Sequence, residues 1–139
     1  MQKVSDVIRR KHPQFNTVAT DSSMYDALHK MFCEHVDYLI VLDANQKFVG
    51  VLTEHDVASK VFFADKPLQQ MQVCDFMTTT VPVAHHDVSI DDALLQLENH
   101  ASNYLAVYDH AVFLGIVNVQ DLMHSMLSKN KAASHELYH

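Results

Sequence analysis

Two short segments of this sequence share one pattern and define its architecture: GVLTEHD, Gly50–Asp56, and GIVNVQD, Gly115–Asp121. Each begins with glycine, continues with two apolar residues and reaches aspartate at its seventh position. Gly50 and Gly115 are the only glycines among the 139 residues, whereas ordinary usage would give roughly ten. The two glycines therefore mark one structural position that occurs twice.

The rest of the chain repeats around these segments. At an offset of 66 residues, Ser23 aligns with Ser89, and the DAL and YL segments that follow also coincide. The offset falls to 65 residues at the glycines because the second copy has a shorter turn. This period is longer than the roughly 20–50 residues of solenoid repeats. It predicts a duplicated small lobe instead.

Each copy predicts the same order of elements. Ser23 and Ser89 are followed three residues later by aspartate, a pattern that caps helix N-termini, so we predict helices near 24–35 and 90–101. The segments YLIVLD and YLAVYD predict buried strands, and FVGVL and FLGIV predict second strands. Thr53 and Asn118 are candidate N-caps of closing helices, about 54–63 and 119–128. Each copy thus reads as a short opening strand, helix, strand, strand and helix.

The charge distribution limits the classes of partner. The net charge of −7 argues against general nucleic-acid binding. The stretch from Pro67 to Ser128 holds seven acidic residues and no Lys or Arg. An anionic ligand is therefore expected to find fixed positive charge only in the first half. The cluster Arg9-Arg10-Lys11 is interpreted as solvated surface.

The composition also predicts where the protein resides. No apolar run approaches the roughly 18–20 residues that span a bilayer, and the N-terminal segment has no apolar core of a secretory signal. Cys33 and Cys74 are isolated in sequence and predict free thiols in a reducing, cytoplasmic setting. We expect no membrane partner.

The sequence contains two copies of a β-α-β-β-α pattern, and each copy closes on glycine, two apolar residues, a short polar residue and aspartate. This arrangement resembles a tandem pair of CBS domains, or Bateman module. The resemblance covers about Val4–Leu127, and the openings VSDVI and VCDFM are similar to the family's opening segment. It implies an α/β (α+β) fold with two repeats packed with pseudo-twofold symmetry. We place the repeats at 1–65 and 73–128, a linker at 66–72 and a polar tail at 129–139.

The resemblance also implies a ligand. In this family the clefts between the repeats bind adenosine-containing ligands such as AMP, ADP or ATP. The closing aspartate, here Asp56 or Asp121, takes the ribose hydroxyls, and Thr53 faces phosphate. Asn118 departs from the family's Thr or Ser, which weakens the second site. Because the second half lacks cations, weakly charged ligands such as AMP are favoured.

Further site residues follow from the same resemblance. Glycine lets another backbone or a ring come close because it has no Cβ. Asn16-Thr17-Val18 and Pro82-Val83-Ala84 match a loop whose backbone reads the adenine edge in the family. The predicted ligand-binding residues are Gly50, Thr53, Asp56, Gly115, Asn118, Asp121, Thr17, Val18 and Val83.

Plainer interpretations stay open. Asp56 and Asp121 can be ordinary first-turn acids that the helix dipole favours. Gly50 and Gly115 can mark a β-bulge or tight sheet packing without any ligand. Some members of the family serve as dimer scaffolds, so the alternative function is a structural dimerisation module with vestigial pockets.

Metal and catalytic patterns are weaker. The eleven histidines include His29, spaced i,i+4 from Cys33, and His85-His86 before Asp87. No third and fourth ligand follow at a convincing spacing, so no metal site is assigned. No nucleophile elbow, P-loop or metalloprotease motif occurs, and we expect no enzyme activity.

The sequence therefore predicts a stand-alone regulatory module without catalytic residues. It is expected to bind an adenosine nucleotide, with the site at Thr53 and Asp56 favoured over the site at Asp121. The resemblance suggests a homodimer. The signal is expected to pass in trans to a partner protein.

Overall fold

The computed structural model describes residues 2–137, and the side chains of residues 2–128. The chain divides into two compact units, and one of them combines two separate segments of the sequence. The first unit is Gln14–Val81, and the second unit combines Met1–Pro13 with Pro82–His139. The N-terminal segment thus folds with the second repeat.

The first unit holds one three-stranded sheet in the order β1-β2-β3, with β1 parallel to β2 and β2 antiparallel to β3. Its elements are β1 (Thr17–Ala19), α2 (Met24–Glu34), β2 (Tyr38–Leu42), β3 (Phe48–Thr53) and α3 (Glu54–Asp56), which continues as a π-helical turn, Val57–Val61. Two 3₁₀ helices follow, Leu68–Gln70 and Val73–Asp75.

The second unit repeats this arrangement and adds a helix at its start. Its sheet has the order β4-β5-β6, with the same parallel and antiparallel pairs. Its elements are α1 (Val4–Lys11), β4 (Val83–His85), α4 (Ile90–Asn99), β5 (Tyr104–Asp109), β6 (Val112–Asn118) and α5 (Val119–Leu137).

The predicted fold class is confirmed, because both units contain β-α-β-β-α in that order. The predicted helix starts are also confirmed. The Ser23 and Ser89 hydroxyls accept hydrogen bonds from the backbone N–H groups of Asp26 and Asp92, each at 3.1 Å. Both bonds satisfy a donor that the first helical turn would leave without a partner.

The segments 16–18 and 82–84, which the resemblance predicts as loops, overlap the opening strands β1 and β4, so that prediction was wrong. The opening segment VSDVI forms most of helix α1, in which Asp6 accepts a hydrogen bond from the Lys3 backbone N–H at 3.0 Å. The last turn carries Arg9, Arg10 and Lys11, which suit the negative end of the helix dipole.

Each unit has its own apolar core. In the second unit, Val4, Val7 and Ile8 of α1 pack with Leu105, Val107, Val117 and Leu122. In the first unit, Met71 and Val73 pack with residues of α2, β2 and β3. Met71 lies in the segment interpreted as the linker and is 2% exposed. The repeat boundaries drawn from similarity stay a prediction, because they differ from the units drawn by packing.

The last helix extends past the second repeat. A polar tail is predicted from residue 129, and α5 continues through that segment to Leu137. Residues 138 and 139 of the predicted tail lie outside the described residues. Among the described residues, no helix has the length and apolarity needed to cross a membrane.

Both glycines lie at β-bulges, one of the interpretations that the sequence left open. The pairing register shifts between Val41 and Leu42 in the first sheet and between Val107 and Tyr108 in the second. Gly50 must lack a side chain, because a Cβ there would lie 2.6 Å from the Thr78 carbonyl oxygen. Gly115 has φ 151°, a conformation that other residues rarely adopt.

We predict that Gly50→Ala lowers the free energy of unfolding by about 1–3 kcal/mol, since the methyl group pushes the Thr78 backbone away from β3. Urea unfolding, followed by circular dichroism, measures this change. Val112→Ala is the matched control in a strand, because Val112 is 61% exposed; its effect should stay within about 0.5 kcal/mol. A Gly50→Ala variant as stable as the parent protein would contradict the close approach.

Candidate functional site

The first closing motif is fixed by a reciprocal capping box. The Thr53 hydroxyl oxygen accepts a hydrogen bond from the Asp56 backbone N–H at 3.1 Å. The Asp56 Oδ2 atom accepts in return from the Thr53 backbone N–H and from its hydroxyl, both at 3.0 Å. Two backbone donors at the start of α3 are thereby satisfied.

The other carboxylate oxygen of Asp56 has partners as well. Its Oδ1 accepts from the Thr78 hydroxyl at 2.7 Å and from Lys60 Nζ at 3.0 Å. Asp56 is 1% exposed. Four donors from the first unit therefore occupy this carboxylate, and a ribose could bind it only by displacing some of them.

These contacts set the ionisation of Asp56. Burial raises its pKa, but hydrogen bonds from Thr78, Lys60 and Thr53 outweigh burial and lower the pKa below its ordinary value of 3.8. The carboxylate is thus a negative charge that the folded first unit holds and partners internally. The hydrogen bonds of Asp56 stabilise the folded first unit.

The second closing motif has the same cap and a different neighbour. The Asn118 Oδ1 atom accepts from the Asp121 backbone N–H at 2.8 Å, and Asp121 Oδ2 accepts from the Asn118 backbone N–H at 3.0 Å. Lys11 Nζ donates to the same Oδ2 at 2.5 Å and to the Ile116 carbonyl at 3.1 Å. The side chain of Asp121 is 26% exposed. Asn118 therefore caps its helix as predicted, and Asp121 is the more accessible carboxylate.

The fold places cations in the acidic half of the sequence. The Arg9-Arg10-Lys11 cluster was interpreted as solvated surface; Arg9 and Arg10 are exposed, but for Lys11, whose side chain is 22% exposed and paired with Asp121, the interpretation was wrong. Arg10 donates to the hydroxyl of Ser125, which is 3% exposed. The packing of α1 thus gives the second unit the positive charge that its own repeat lacks.

A cavity of about 410 Å³ lies beside this contact. Its lining residues are polar or charged: Gln2, Arg10, His124, Ser125 and Ser128. The Gln2 Oε1 atom is buried, and no hydrogen-bond donor reaches it from the described residues. The cavity therefore offers donors to an anionic group and one acceptor to a donor group.

Three of the predicted ligand-binding residues, Thr17, Val18 and Val83, lie in the opening strands and mainly make contacts within their own unit. Thr17 and Val18 lie in β1, where the Thr17 carbonyl accepts from Lys30 Nζ at 2.5 Å. Val83 is 55% exposed at the start of β4, and its carbonyl accepts from Gln96 Nε2 at 2.7 Å. The two units thus use equivalent carbonyls in the same way. Binding of adenine by these residues stays a prediction.

The fold brings together side chains that are distant in the sequence. Asp109 lies beside His85 and His86, and the three could together hold a metal ion. The hydrogen bond from His110 lowers the pKa of Asp109, and the charges of His86, His110 and His85 act in the same direction. The sequence assigned no metal site, and spacing along the chain does not show which strand ends meet. The signal was Asp109 at the end of the strand YLAVYD.

Comparison with known proteins gives a consistent family. The family model described as CBS domain matches residues 4–62 and 73–128. An uncharacterised Bacillus subtilis protein, YlbB, is 27% identical over 135 residues, which cover 96% of this chain and 88% of that protein. The chain spans 21–22% of the length of three longer Arabidopsis thaliana CBS domain-containing proteins that it also matches.

Solved structures share the fold. The crystal structure of the CBS domain NE2398 superposes with a TM-score of 0.82 at 26% identity, covering 91% of this chain and 99% of that one. CBSX2, solved in complex with AMP, superposes with a TM-score of 0.75 at 22% identity, covering 94% and 99%. The second likeness concerns the fold alone.

We predict that the hydrogen bonds of Asp56 stabilise the folded protein at neutral pH and that this stabilisation is lost in acid. A carboxylate whose pKa is lowered in the folded state stabilises it above the ordinary value of 3.8, and that stabilisation is lost as the pH falls through the folded pKa. Asp56→Asn should therefore lower the free energy of unfolding at pH 7 by about 1–3 kcal/mol. The difference between variant and parent should shrink as the pH falls below that ordinary value.

Urea unfolding measured between neutral and acid pH tests this prediction. The control is Asp91→Asn, which removes an exposed carboxylate from the first turn of α4. If Asp56→Asn and its parent differ equally at every pH, the proposed role of the charged carboxylate is wrong.

Proposed function

This chain belongs to the CBS domain family, and from that premise we propose that it is a regulatory module that senses an adenosine-containing nucleotide. The proposed ligand is AMP, ADP or ATP, bound at Asn118 and Asp121, and the signal passes in trans to a partner protein. We propose no catalytic role.

The observation that carries this proposal is the accessible Asp121 carboxylate beside a lysine. A carboxylate can accept hydrogen bonds from both hydroxyls of a ribose, and an ammonium group can neutralise a phosphate. Lys11 Nζ already lies 2.5 Å from Asp121 Oδ2. When the ribose takes the carboxylate, Lys11 becomes available to the phosphate of the same ligand.

The neighbouring cavity supports the same choice. Ser125 lies one helical turn after Asp121 on α5, and Arg10 directly precedes Lys11 on α1. The volume of about 410 Å³ falls within the range of small-molecule sites. The guanidinium of Arg10 and the hydroxyls of Ser125 and Ser128 suit a phosphate group.

The preference between the motifs differs from the sequence-based expectation. Thr53 and Asp56 match the family pattern fully, yet Asp56 is 1% exposed and holds four hydrogen bonds within the first unit. Displacing Thr78 and Lys60 would leave two donors to be satisfied elsewhere, which costs free energy. We therefore propose the second motif as the primary site.

Regulation requires that the ligand bind one conformation better than another. In the second unit, Lys11 ties the end of α1 to Asp121 and to the Ile116 carbonyl. A nucleotide that takes Asp121 from Lys11 would loosen this tie. We propose that α1 is the element whose position reports the ligand to a partner protein.

The choice of AMP as the first probe rests on relatives. CBSX2 was solved with AMP, and the matching relatives include an inosine-5′-monophosphate dehydrogenase of Nitrosopumilus maritimus, 30% identical over 107 residues that form 21% of that enzyme. AMP also carries fewer charges than ATP, which suits a site whose cations are Lys11 and Arg10.

A specific observation favours a second candidate function. Asp56 is saturated by internal partners, and the first unit exposes large apolar side chains: Phe32, Phe62 and Phe63, at 78%, 80% and 77%. Exposed aromatic residues of this kind are typical of protein interfaces. The alternative is a dimerisation or protein-interaction module, working as a homodimer without a ligand.

We predict that Asp121→Asn weakens AMP binding at least about tenfold, a loss of about 1.4 kcal/mol, because an amide has one acceptor oxygen for the two ribose hydroxyls. Isothermal titration calorimetry measures the dissociation constant. 2′-Deoxy-AMP should bind the parent protein more weakly for the same reason. Asp56→Asn is the matched control in the other motif and should leave the affinity unchanged.

Two outcomes would contradict the proposal. If Asp56→Asn abolishes binding while Asp121→Asn keeps it, the first motif holds the ligand. If AMP, ADP and ATP all fail to bind the parent protein, while light scattering shows a dimer, the interaction module is the better account.

A further inference from the structure

A group of histidines and aspartates gathers at one end of the second sheet, apart from the closing motif. His85 ends β4, and His86 and Asp87 follow it directly. Asp109 ends β5, and His110 stands in the turn to β6 with φ 54°. The parallel register pairs His85 with Tyr108, so Asp109 arrives beside both histidines.

Three ring nitrogens converge on one carboxylate oxygen. Asp109 Oδ1 lies 3.8 Å from His85 Nε2, 3.5 Å from His86 Nε2 and 2.7 Å from His110 Nδ1. The backbone also holds this end of the sheet, since the His86 N–H donates to the Tyr108 carbonyl at 2.9 Å. Ring nitrogens from the end of β4 and from the β5–β6 turn therefore surround one oxygen of Asp109.

Asp87 contacts the opposite side of the same two rings. Its carboxylate oxygens lie 3.6 Å from His85 Nδ1 and 3.6 Å from His86 Nδ1. In metal sites a histidine that binds through one ring nitrogen usually donates its other N–H to a carboxylate or carbonyl. In His86, Nε2 faces Asp109 and Nδ1 faces the Asp87 carboxylate, 3.6 Å away, so this ring has the required orientation. In His85, Nδ1 instead accepts a hydrogen bond from the Asp87 backbone N–H at 3.3 Å.

We propose that this cluster binds a first-row transition-metal cation such as Zn²⁺. The ligands are one ring nitrogen each of His85, His86 and His110 and an oxygen of Asp109, and the Asp87 carboxylate lies against the rings of His85 and His86. This gives a mixed set of imidazoles and one carboxylate, which suits Zn²⁺, Ni²⁺ or Cu²⁺. Mg²⁺ and Ca²⁺ prefer sites made of oxygen atoms and are disfavoured here.

The ligand atoms need only small movements. One ligand atom each from His85, His86 and Asp109 lies within 4.8 Å of the others, whereas tetrahedral zinc ligands at about 2.0–2.1 Å from the metal lie about 3.3 Å apart. The side chains are 27–47% exposed, and that of His110 is 87% exposed. Such side chains can rotate to close the remaining distance without moving the core.

The two carboxylates of the cluster favour binding of a cation. Asp87 and Asp109 bring two carboxylates to the same pair of histidine rings. A divalent cation would balance both carboxylates and replace the repulsion between them with coordination. Bound there, it would tie the end of β4 to the β5–β6 turn.

The test is zinc binding by tag-free protein that has been treated with a chelator and dialysed. Calorimetric titration at pH 7.5 is expected to give one Zn²⁺ per chain. His86→Ala and Asp109→Asn should each weaken binding at least about tenfold, and Asp87→Asn, which acts through the rings, by about 10–100-fold. Cobalt gives a second readout, because tetrahedral Co²⁺ has a visible absorption band that the same variants should lose.

The control is His29→Ala. His29 is exposed in the first unit and lies 3.6 Å from Cys33 Sγ, so it represents the other pair with metal-binding side chains. This variant should bind zinc as the parent does. Thermal midpoints without metal should be alike in all variants, which separates loss of ligands from loss of fold.

The proposal is overturned if the parent protein binds no Zn²⁺. It is equally overturned if His86→Ala and Asp109→Asn keep the parent's affinity, or if His29→Ala alone removes binding. Because no step involves Asn118 or Asp121, these outcomes are independent of nucleotide binding.

Discussion

The burial of one face of helix α1 in the second unit is the constraint on which the functional geometry depends. A lobe of about 60 residues buries little apolar surface by itself. Val4, Val7 and Ile8, spaced along one helical face, complete the core around Leu105 and Val117. The same docking fixes where the polar end of the helix must lie. With the apolar face of α1 packed in the core, Arg10 reaches Ser125 and Lys11 reaches Asp121.

The two closing motifs show how one sequence pattern can reach two chemical states. Both aspartates accept the backbone N–H of the capping residue three positions earlier, at 3.0 Å in each unit. In the first unit the glycine at the bulge lets the Thr78 backbone come close, and the Thr78 hydroxyl then occupies Asp56. In the second unit the neighbour of Asp121 is the side chain of Lys11. A lysine can exchange its partner at lower cost than a backbone segment can move away.

Much of the fold could be predicted from the sequence, because local chemistry determines it. The serine caps at Ser23 and Ser89 define helix starts, and glycine at Gly50 and Gly115 marks the bulges. The candidate site was less predictable, because it depends on contacts between distant segments. Nothing near Lys11 in sequence indicates that it lies against Asp121. Nothing near His85 indicates Asp109, since the parallel pairing of β4 and β5 brings them together.

We propose that a nucleotide binds at the second motif, beside the end of α1. The most direct test is a titration of ¹⁵N-labelled protein with AMP, followed through assigned backbone amide signals. We expect the signals of Lys11, Asn118 and Asp121 to move in proportion to occupancy, while those of Thr53, Asp56 and Thr78 stay in place. Movement confined to Thr53, Asp56 and Thr78 would contradict it, and so would a spectrum that AMP leaves unchanged.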